Sequence, residues 1–74
     1  MASVLVTGSS GGVGKAVCVA LMGAGHEVVG FDRVESDGVS QAIVGDILDR
    51  EAVNSAVTGR DSIIHLAATP DEAD

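Results

Sequence analysis

Residues 4–14 read Val4-Leu5-Val6-Thr7-Gly8-Ser9-Ser10-Gly11-Gly12-Val13-Gly14, a short apolar run that leads into a glycine-rich loop. An apolar run of this length, ending at a turn-forming glycine, is typical of a strand buried on both faces. The residues after it place apolar side chains at helical spacing: Val13, Val17, Ala20, Leu21 and Ala24. This spacing predicts an amphipathic helix over residues 15–22, with Gly23 and Gly25 as stop signals.

The loop between these two elements contains four glycines: Gly8, Gly11, Gly12 and Gly14. Between a strand and a helix, a first glycine permits a tight turn, a second lets the backbone approach a pyrophosphate, and a third lets the helix pack closely on the strand. The helix N-terminus adds free N–H groups and a partial positive charge. The loop is therefore predicted to bind the phosphates of a dinucleotide.

A nucleotide P-loop, G-x-x-x-x-G-K-[ST], is the competing interpretation, because Gly14 is followed by Lys15. Ser9 stands where that motif has its first glycine, and Ala16 offers no hydroxyl for magnesium. Both departures remove a feature that a P-loop uses to bind its ligand, so we favour the dinucleotide loop. We interpret Lys15 as a solvated residue of the first helical turn.

The rest of the chain alternates strand and helix patterns. Further strands are predicted over residues 28–31, 42–44 and 62–66, and a second helix is predicted from Asp49 as N-cap to about Thr58, with Gly59 as its stop. Residues 34–40 are predicted to form a loop or a degraded helix. This alternation predicts an α/β fold with a parallel sheet and right-handed crossovers.

Length and composition limit the number of domains and the kinds of partner. A chain of 74 residues allows one domain at most, of marginal stability, which suggests a fragment or a chain that needs a partner. A net charge of −7 with four Lys and Arg argues against nucleic acid and anionic membrane surfaces as partners. Cys18 is the only cysteine, so neither an internal disulfide nor a cysteine metal cluster is predicted. Without a signal peptide or an apolar span, the default expectation is a cytoplasmic protein.

Asp32 closes the second predicted strand, 18 positions after Gly14. A dinucleotide fold places an acid about 20 residues beyond its glycines, where the carboxylate binds the ribose hydroxyls of the adenosine. A carboxylate there repels the extra phosphate of NADP, so NAD is the predicted cofactor. Arg33 keeps NADP as the lesser alternative, because an arginine at this place can pair with a 2′-phosphate.

The remaining polar residues are interpreted one by one, and only Asp46 has two interpretations. Asp46 follows the third strand and either lies beside the adenine or forms a turn after Gly45. His65, inside the fourth strand, is predicted to be a hydrogen-bonded core residue, and His26 to face solvent. The acidic tail, which includes Asp71, Glu72 and Asp74, is interpreted as solvated, and no metal site is predicted.

Three motifs together resemble one known family. Residues 7–14 resemble the T-G-x-x-G-x-x-G motif of extended short-chain dehydrogenases/reductases, although they also satisfy the T-G-x-x-x-G-x-G form of the shorter branch. Ile64-His65-Leu66-Ala67-Ala68 resembles the H-L-A-A motif of the extended branch, and Gly45-Asp46-Ile47 with Asp49 is similar to its G-D-x-x-D. The resemblance covers nearly the whole chain and points to the NAD-dependent epimerase/dehydratase group.

The resemblance implies a Rossmann-type sheet in the order 3-2-1-4 with flanking helices, and hydride transfer between NAD and a sugar or nucleotide sugar. It implies a cofactor site made of Gly8, Gly11, Gly12, Val13, Gly14, Asp32, Arg33, Asp46, Ile47, Leu66, Ala67 and Ala68. A homo-oligomer is expected for the parent protein.

The family's catalytic Y-x-x-x-K pair has no counterpart here. The chain contains no tyrosine, and its only lysine is Lys15. We therefore expect residues 1–74 to be an N-terminal cofactor-binding portion without catalytic residues, the substrate-binding part being absent. The alternatives are a non-catalytic dinucleotide-binding module or sensor, and an interaction protein that binds no dinucleotide.

Overall fold

A computed structural model describes residues 2–67 of the chain. Its elements, in chain order, are β1 (Ser3–Thr7), α1 (Gly12–Gly23), β2 (Glu27–Asp32), β3 (Gln41–Val44), α2 (Arg50–Val57) and β4 (Ser62–His65). The four strands form one parallel sheet in the order β3-β2-β1-β4. This confirms the predicted fold class and strand order.

The sheet is covered by a helix on each face. Because side chains alternate along a strand, Val4 and Val6 of β1 pack with Cys18 of α1, whereas Leu5 packs with Ala56 of α2 on the opposite face. The apolar run in β1 is continuous because both of its faces are buried. Phe31, the only aromatic residue, is 1% exposed in the cluster beneath α2.

Helix α1 differs from its prediction at its start and on its buried face. It begins at Gly12, so the last glycines of the loop form its first turn. Its buried residues are Gly14 and Cys18, while Val13 is 67% exposed. The predicted apolar face was right in part: Val17 and Leu21 pack against the cluster beneath α1, whereas Val13, Ala20 and Ala24 are exposed. Close packing on β1 shifts the buried face toward Gly14 and Cys18.

The helix ends and the connections follow local signals. Gly25, with φ +86°, donates its N–H to Met22 O at 3.1 Å and ends the turn after α1, whereas Gly23 still belongs to the helix. Asp49 caps α2 by accepting the Ala52 N–H at 3.3 Å, as predicted. Residues 33–40 join β2 to β3 as a loop without a helix.

Two predictions about histidines need correction. His65 is exposed rather than part of the core, because β4 is an edge strand within residues 2–67. His26 is partly buried, and its Nδ1 accepts the N–H of Ala2 at 3.1 Å. The acidic tail of residues 71–74 lies outside the described residues. Across residues 2–67, no helix is both long and apolar enough to cross a bilayer.

Candidate functional site

The carboxyl ends of the parallel strands meet at one edge of the sheet, and the predicted site residues follow them there. Gly8 follows β1, Asp32 ends β2, Asp46 follows β3 and Leu66 follows β4. Strand β1 continues into α1 on one face, whereas β4 is reached through α2 on the other face. Such a change of side between neighbouring strands opens the crevice where α/β sheets bind ligands.

Gly8 makes the turn that leaves β1. Its φ is +74°, and its N–H donates to Phe31 O at 2.8 Å. A Cβ on Gly8 would lie 2.9 Å from Ala67 N and 3.0 Å from Leu66 C. Both the backbone conformation and the segment after β4 therefore require glycine at this position.

Gly14 sets the distance between α1 and the loop. A Cβ there would overlap the Gly8 carbonyl oxygen and lie 2.8 Å from Gly8 C and 2.9 Å from Ser9 Cα. The residue is buried in the first turn of the helix. This contact agrees with the close helix packing expected of the third glycine in a dinucleotide loop.

Gly11 and Gly12 are not required by any such contact. A Cβ on Gly11 would meet only Gly8 O, at an ordinary 3.5 Å, and a Cβ on Gly12 would meet nothing within 4 Å. Gly11 has φ −75°, which any residue can adopt, and both glycines are exposed. Their small size leaves the backbone at the start of α1 open to a ligand.

The first turn of α1 also lacks a capping acceptor. Its N-cap, Gly11, makes no side-chain hydrogen bond, and no acidic residue lies in the first turn. The first N–H groups of a helix have no partner within the helix, and they attract anions. An open, glycine-lined helix start with no acidic residue in its own first turn suits the pyrophosphate of a dinucleotide.

Asp32 is half-buried at the end of β2, beside the glycine loop. Its Oδ2 accepts the Ser10 N–H at 2.9 Å, and its Oδ1 accepts the Arg33 N–H at 2.7 Å. An ionised carboxylate has about four acceptor positions. Two positions therefore remain for hydroxyl groups such as those of a ribose.

A hydroxyl cluster that the sequence analysis missed joins the loop after β2 to the glycine loop. Ser9 Oγ and Ser10 Oγ both hydrogen-bond Ser36 Oγ, the second at 2.9 Å. Ser9 and Ser36 are buried, and a Cβ on Gly30 would lie 2.7 Å from Ser9 Oγ. No spacing rule signals this cluster, because Ser36 lies 27 positions from Ser9 in a loop without regular pattern.

Thr7 and His65 form a second contact that the sequence analysis missed. Thr7 Oγ1 accepts the N–H groups of Leu66 at 3.0 Å and Ala67 at 3.2 Å. Thr7 Oγ1 also hydrogen-bonds His65 Nδ1 at 2.7 Å. These bonds hold the end of β4 against the end of β1.

Asp46 forms the turn after β3 and also an ion pair. Its Oδ1 accepts the Leu48 N–H at 2.9 Å and lies 3.6 Å from Arg33 Nη2. Ile47 packs against the core cluster beneath α2. The turn interpretation of Asp46 is thus confirmed, whereas contact of Asp46 and Ile47 with adenine stays a prediction.

Three residues predicted to contact the cofactor follow β4. Leu66 is 38% exposed and Ala67 is half-buried, both at the carboxyl edge, whereas Ala68 lies outside the described residues. Cys18 on α1 is buried, and burial raises the pKa of its thiol, which favours the unreactive protonated form. In the described part of the chain, no group of three His, Cys, Asp or Glu side chains is placed to hold a metal ion.

The fold and the glycine loop agree with a comparison against protein families. A model of the NAD dependent epimerase/dehydratase family matches residues 4–74. The chain belongs to this family. The resemblance inferred from the three motifs is thereby confirmed, and NAD, the predicted cofactor, is the cofactor in the family's description.

Individual relatives agree with this assignment. The chain is 47% identical over 72 residues to a 3-beta-hydroxysteroid dehydrogenase from Mycolicibacterium neoaurum, matching over 92% of this chain and 20% of the relative. A short-chain dehydrogenase/reductase superfamily protein from Agrobacterium tumefaciens, solved with bound NAD, has a TM-score of 0.83 and 40% identity over 90% of this chain and 20% of its own. MoeE5, solved with UDP-glucose and NAD, has a TM-score of 0.80 and 32% identity over 92% of this chain and 23% of its own. The chain therefore spans between a fifth and a quarter of each.

Proposed function

We propose that this chain is the N-terminal NAD-binding portion of an oxidoreductase of the epimerase/dehydratase family. Backbone N–H groups at the start of α1, around Gly11 and Val13, bind the pyrophosphate. Asp32 binds the hydroxyls of the adenosine ribose, Asp46 and Ile47 border the adenine, and Leu66–Ala67 border the nicotinamide ribose. NAD supplies the hydride acceptor, and these residues hold and orient it.

The observation that carries the proposal is that no packing contact requires glycine at positions 11 and 12. Gly8 and Gly14 are each required by close backbone contacts, whereas a Cβ on Gly11 or Gly12 would meet no obstacle within the described chain. The open start of α1 lies next to Asp32, whose carboxylate binds the Ser10 N–H at 2.9 Å. An open, glycine-lined helix start beside a carboxylate at the end of the second strand is the arrangement that a dinucleotide needs.

Calorimetric titration with NAD and NADP tests the proposal, with circular dichroism to establish that each sample is folded. We expect saturable NAD binding, weaker NADP binding, and about tenfold weaker NAD binding in Asp32→Ala, the loss of roughly one charge-assisted hydrogen bond. Absence of binding by a folded sample would overturn the proposal and favour an interaction protein.

We also propose a sugar or nucleotide sugar as the substrate of the parent protein. MoeE5, a structural relative, was solved with UDP-glucose beside NAD, while the hydroxysteroid dehydrogenase is named for a different substrate. Conversion of UDP-glucose or of a 3β-hydroxysteroid by the full-length protein with NAD, followed by chromatography of the substrate and by NADH absorbance, separates the two. Both readouts are needed because an epimerase or dehydratase returns the hydride to its substrate and leaves no NADH. NAD binding without conversion of either class would favour a sensor, and light scattering of the same sample tests the expected homo-oligomer.

A further inference from the structure

Arg33 and Asp46 form an ion pair across the ends of two neighbouring strands. Arg33 follows β2, Asp46 follows β3, and Arg33 Nη2 lies 3.6 Å from Asp46 Oδ1. The side chains are 56% and 48% exposed, so the contact is at the surface of the site edge. Within residues 2–67, Asp46 is the one carboxylate that lies within salt-bridge distance of Arg33.

The backbone on both sides of the Arg33 side chain is fixed to the glycine loop. Its own N–H donates to Asp32 Oδ1 at 2.7 Å, and Ser10 Oγ donates to Val34 O at 3.1 Å. Asp32 in turn accepts the Ser10 N–H. With the main chain held at these points, the exposed guanidinium is the part of Arg33 that can exchange one partner for another.

The chemistry of the guanidinium connects this pair to the choice of cofactor. NADP differs from NAD by one additional phosphate on the adenosine ribose. That ribose is the part of the cofactor that Asp32 is proposed to bind. A guanidinium binds phosphate as readily as carboxylate, often through two parallel hydrogen bonds. A carboxylate that already pairs with Arg33 competes with such a phosphate and adds a negative charge that repels it.

We propose that Asp46 acts through Arg33 as a determinant of cofactor choice: by engaging the guanidinium, it favours NAD over NADP. The inference rests on the proposed binding of a dinucleotide at this edge. It assigns Asp46 a role as a positioning residue, in addition to its turn contact with Leu48. Because the pair is half-exposed, it biases the choice and does not exclude NADP.

Dissociation constants of NAD and NADP test this inference in five proteins: wild type, Asp46→Asn, Arg33→Ala, the double variant and Glu35→Gln. We expect Asp46→Asn to shift the ratio of the two constants toward NADP by about fivefold, the effect of losing a half-exposed ion pair. The asparagine retains an oxygen for the Leu48 N–H. Glu35→Gln removes a carboxylate from the same loop and is expected to leave the ratio within about twofold.

The double variant decides whether Arg33 carries the effect. We expect Asp46→Asn to shift the ratio much less when Arg33 is already alanine. An unchanged ratio in Asp46→Asn, or an equal shift in both backgrounds, would overturn the inference, since the second result would reflect charge alone. A wild-type protein that binds no NAD would overturn the proposed function instead, so the two failures are distinguishable.

Discussion

At the amino ends of the strands, the polar side chains bind one another and the strand backbone, whereas the carboxyl ends keep an uncapped helix start beside the carboxylate of Asp32. Ser3 Oγ donates to Glu27 Oε1 at 2.8 Å, and Arg60 Nη1 lies 3.9 Å from the same oxygen. At the opposite edge, Thr7 and Asp32 accept backbone N–H groups of the segments that follow β4 and β1. The contacts at the amino edge join the strands to one another. The contacts at the carboxyl edge hold the loops around the open start of α1.

This difference teaches that a structural edge and a binding edge can be distinguished by whether hydrogen-bonding positions are left for a ligand. It predicts that substitutions at the carboxyl edge alter stability, NAD binding or both, according to the contact removed. Substitutions at the amino edge should alter stability alone. Four experiments test this distinction.

Gly14→Ala is expected to have the largest effect. The added Cβ overlaps the Gly8 carbonyl, so α1 must move away from the loop, at a cost of about 3 kcal/mol in the free energy of unfolding, and NAD binding should be lost with it. Urea unfolding and NAD titration measure the two effects. Gly23→Ala is the matched control in the same helix, because its Cβ meets nothing within 4 Å. A Gly14→Ala variant as stable as Gly23→Ala would contradict the packing argument.

Thr7→Val is expected to lower the free energy of unfolding by about 2 kcal/mol. It keeps the shape of a buried side chain but leaves the Ala67 N–H without its acceptor, and the Leu66 N–H keeps only the backbone oxygen of residue 7. Thr7→Ser retains the hydroxyl and should lose less than half as much. Equal losses in the two variants, measured by urea unfolding, would show that the hydroxyl does not hold the end of β4.

Gly11→Ala should separate binding from stability. The backbone and the surroundings accept a Cβ, so the free energy of unfolding should change by less than about 1 kcal/mol, the range for an N-cap substitution. If the backbone there contacts pyrophosphate, NAD should bind about tenfold more weakly, which corresponds to about 1.4 kcal/mol. Gly23→Ala again serves as the control, and equal NAD affinity in the two variants would argue against phosphate at Gly11.

Glu27→Gln should have the smallest effect. It removes the charge from a half-exposed carboxylate that lies 3.9 Å from Arg60 at the amino edge, and so long a contact contributes less than about 1 kcal/mol. NAD affinity should stay at its wild-type value, because the residue lies at the opposite end of β2 from Asp32. A change in affinity measured by the same titration would show that the two edges are coupled.

The sequence was sufficient for the features that depend on neighbouring residues. Short apolar runs gave the strands, and Asp49 gave the start of α2, since a side-chain cap acts over three positions. The glycine motif indicated a strand, loop and helix because such a turn requires glycine locally. Strand order followed from the family resemblance, and the cofactor contacts of the site residues stay predictions.

Tertiary structure decided the features that depend on residues far apart in the chain. Helical spacing identified Val17 and Leu21 on the packed side of α1, but not the close contact of Gly14 with the loop. Thr7 meets His65 across 58 positions, and Arg33 meets Asp46 across the gap between two strands. Periodicity carries no information about such partners, because they become neighbours only when parallel strands bring their carboxyl ends to one edge of the sheet.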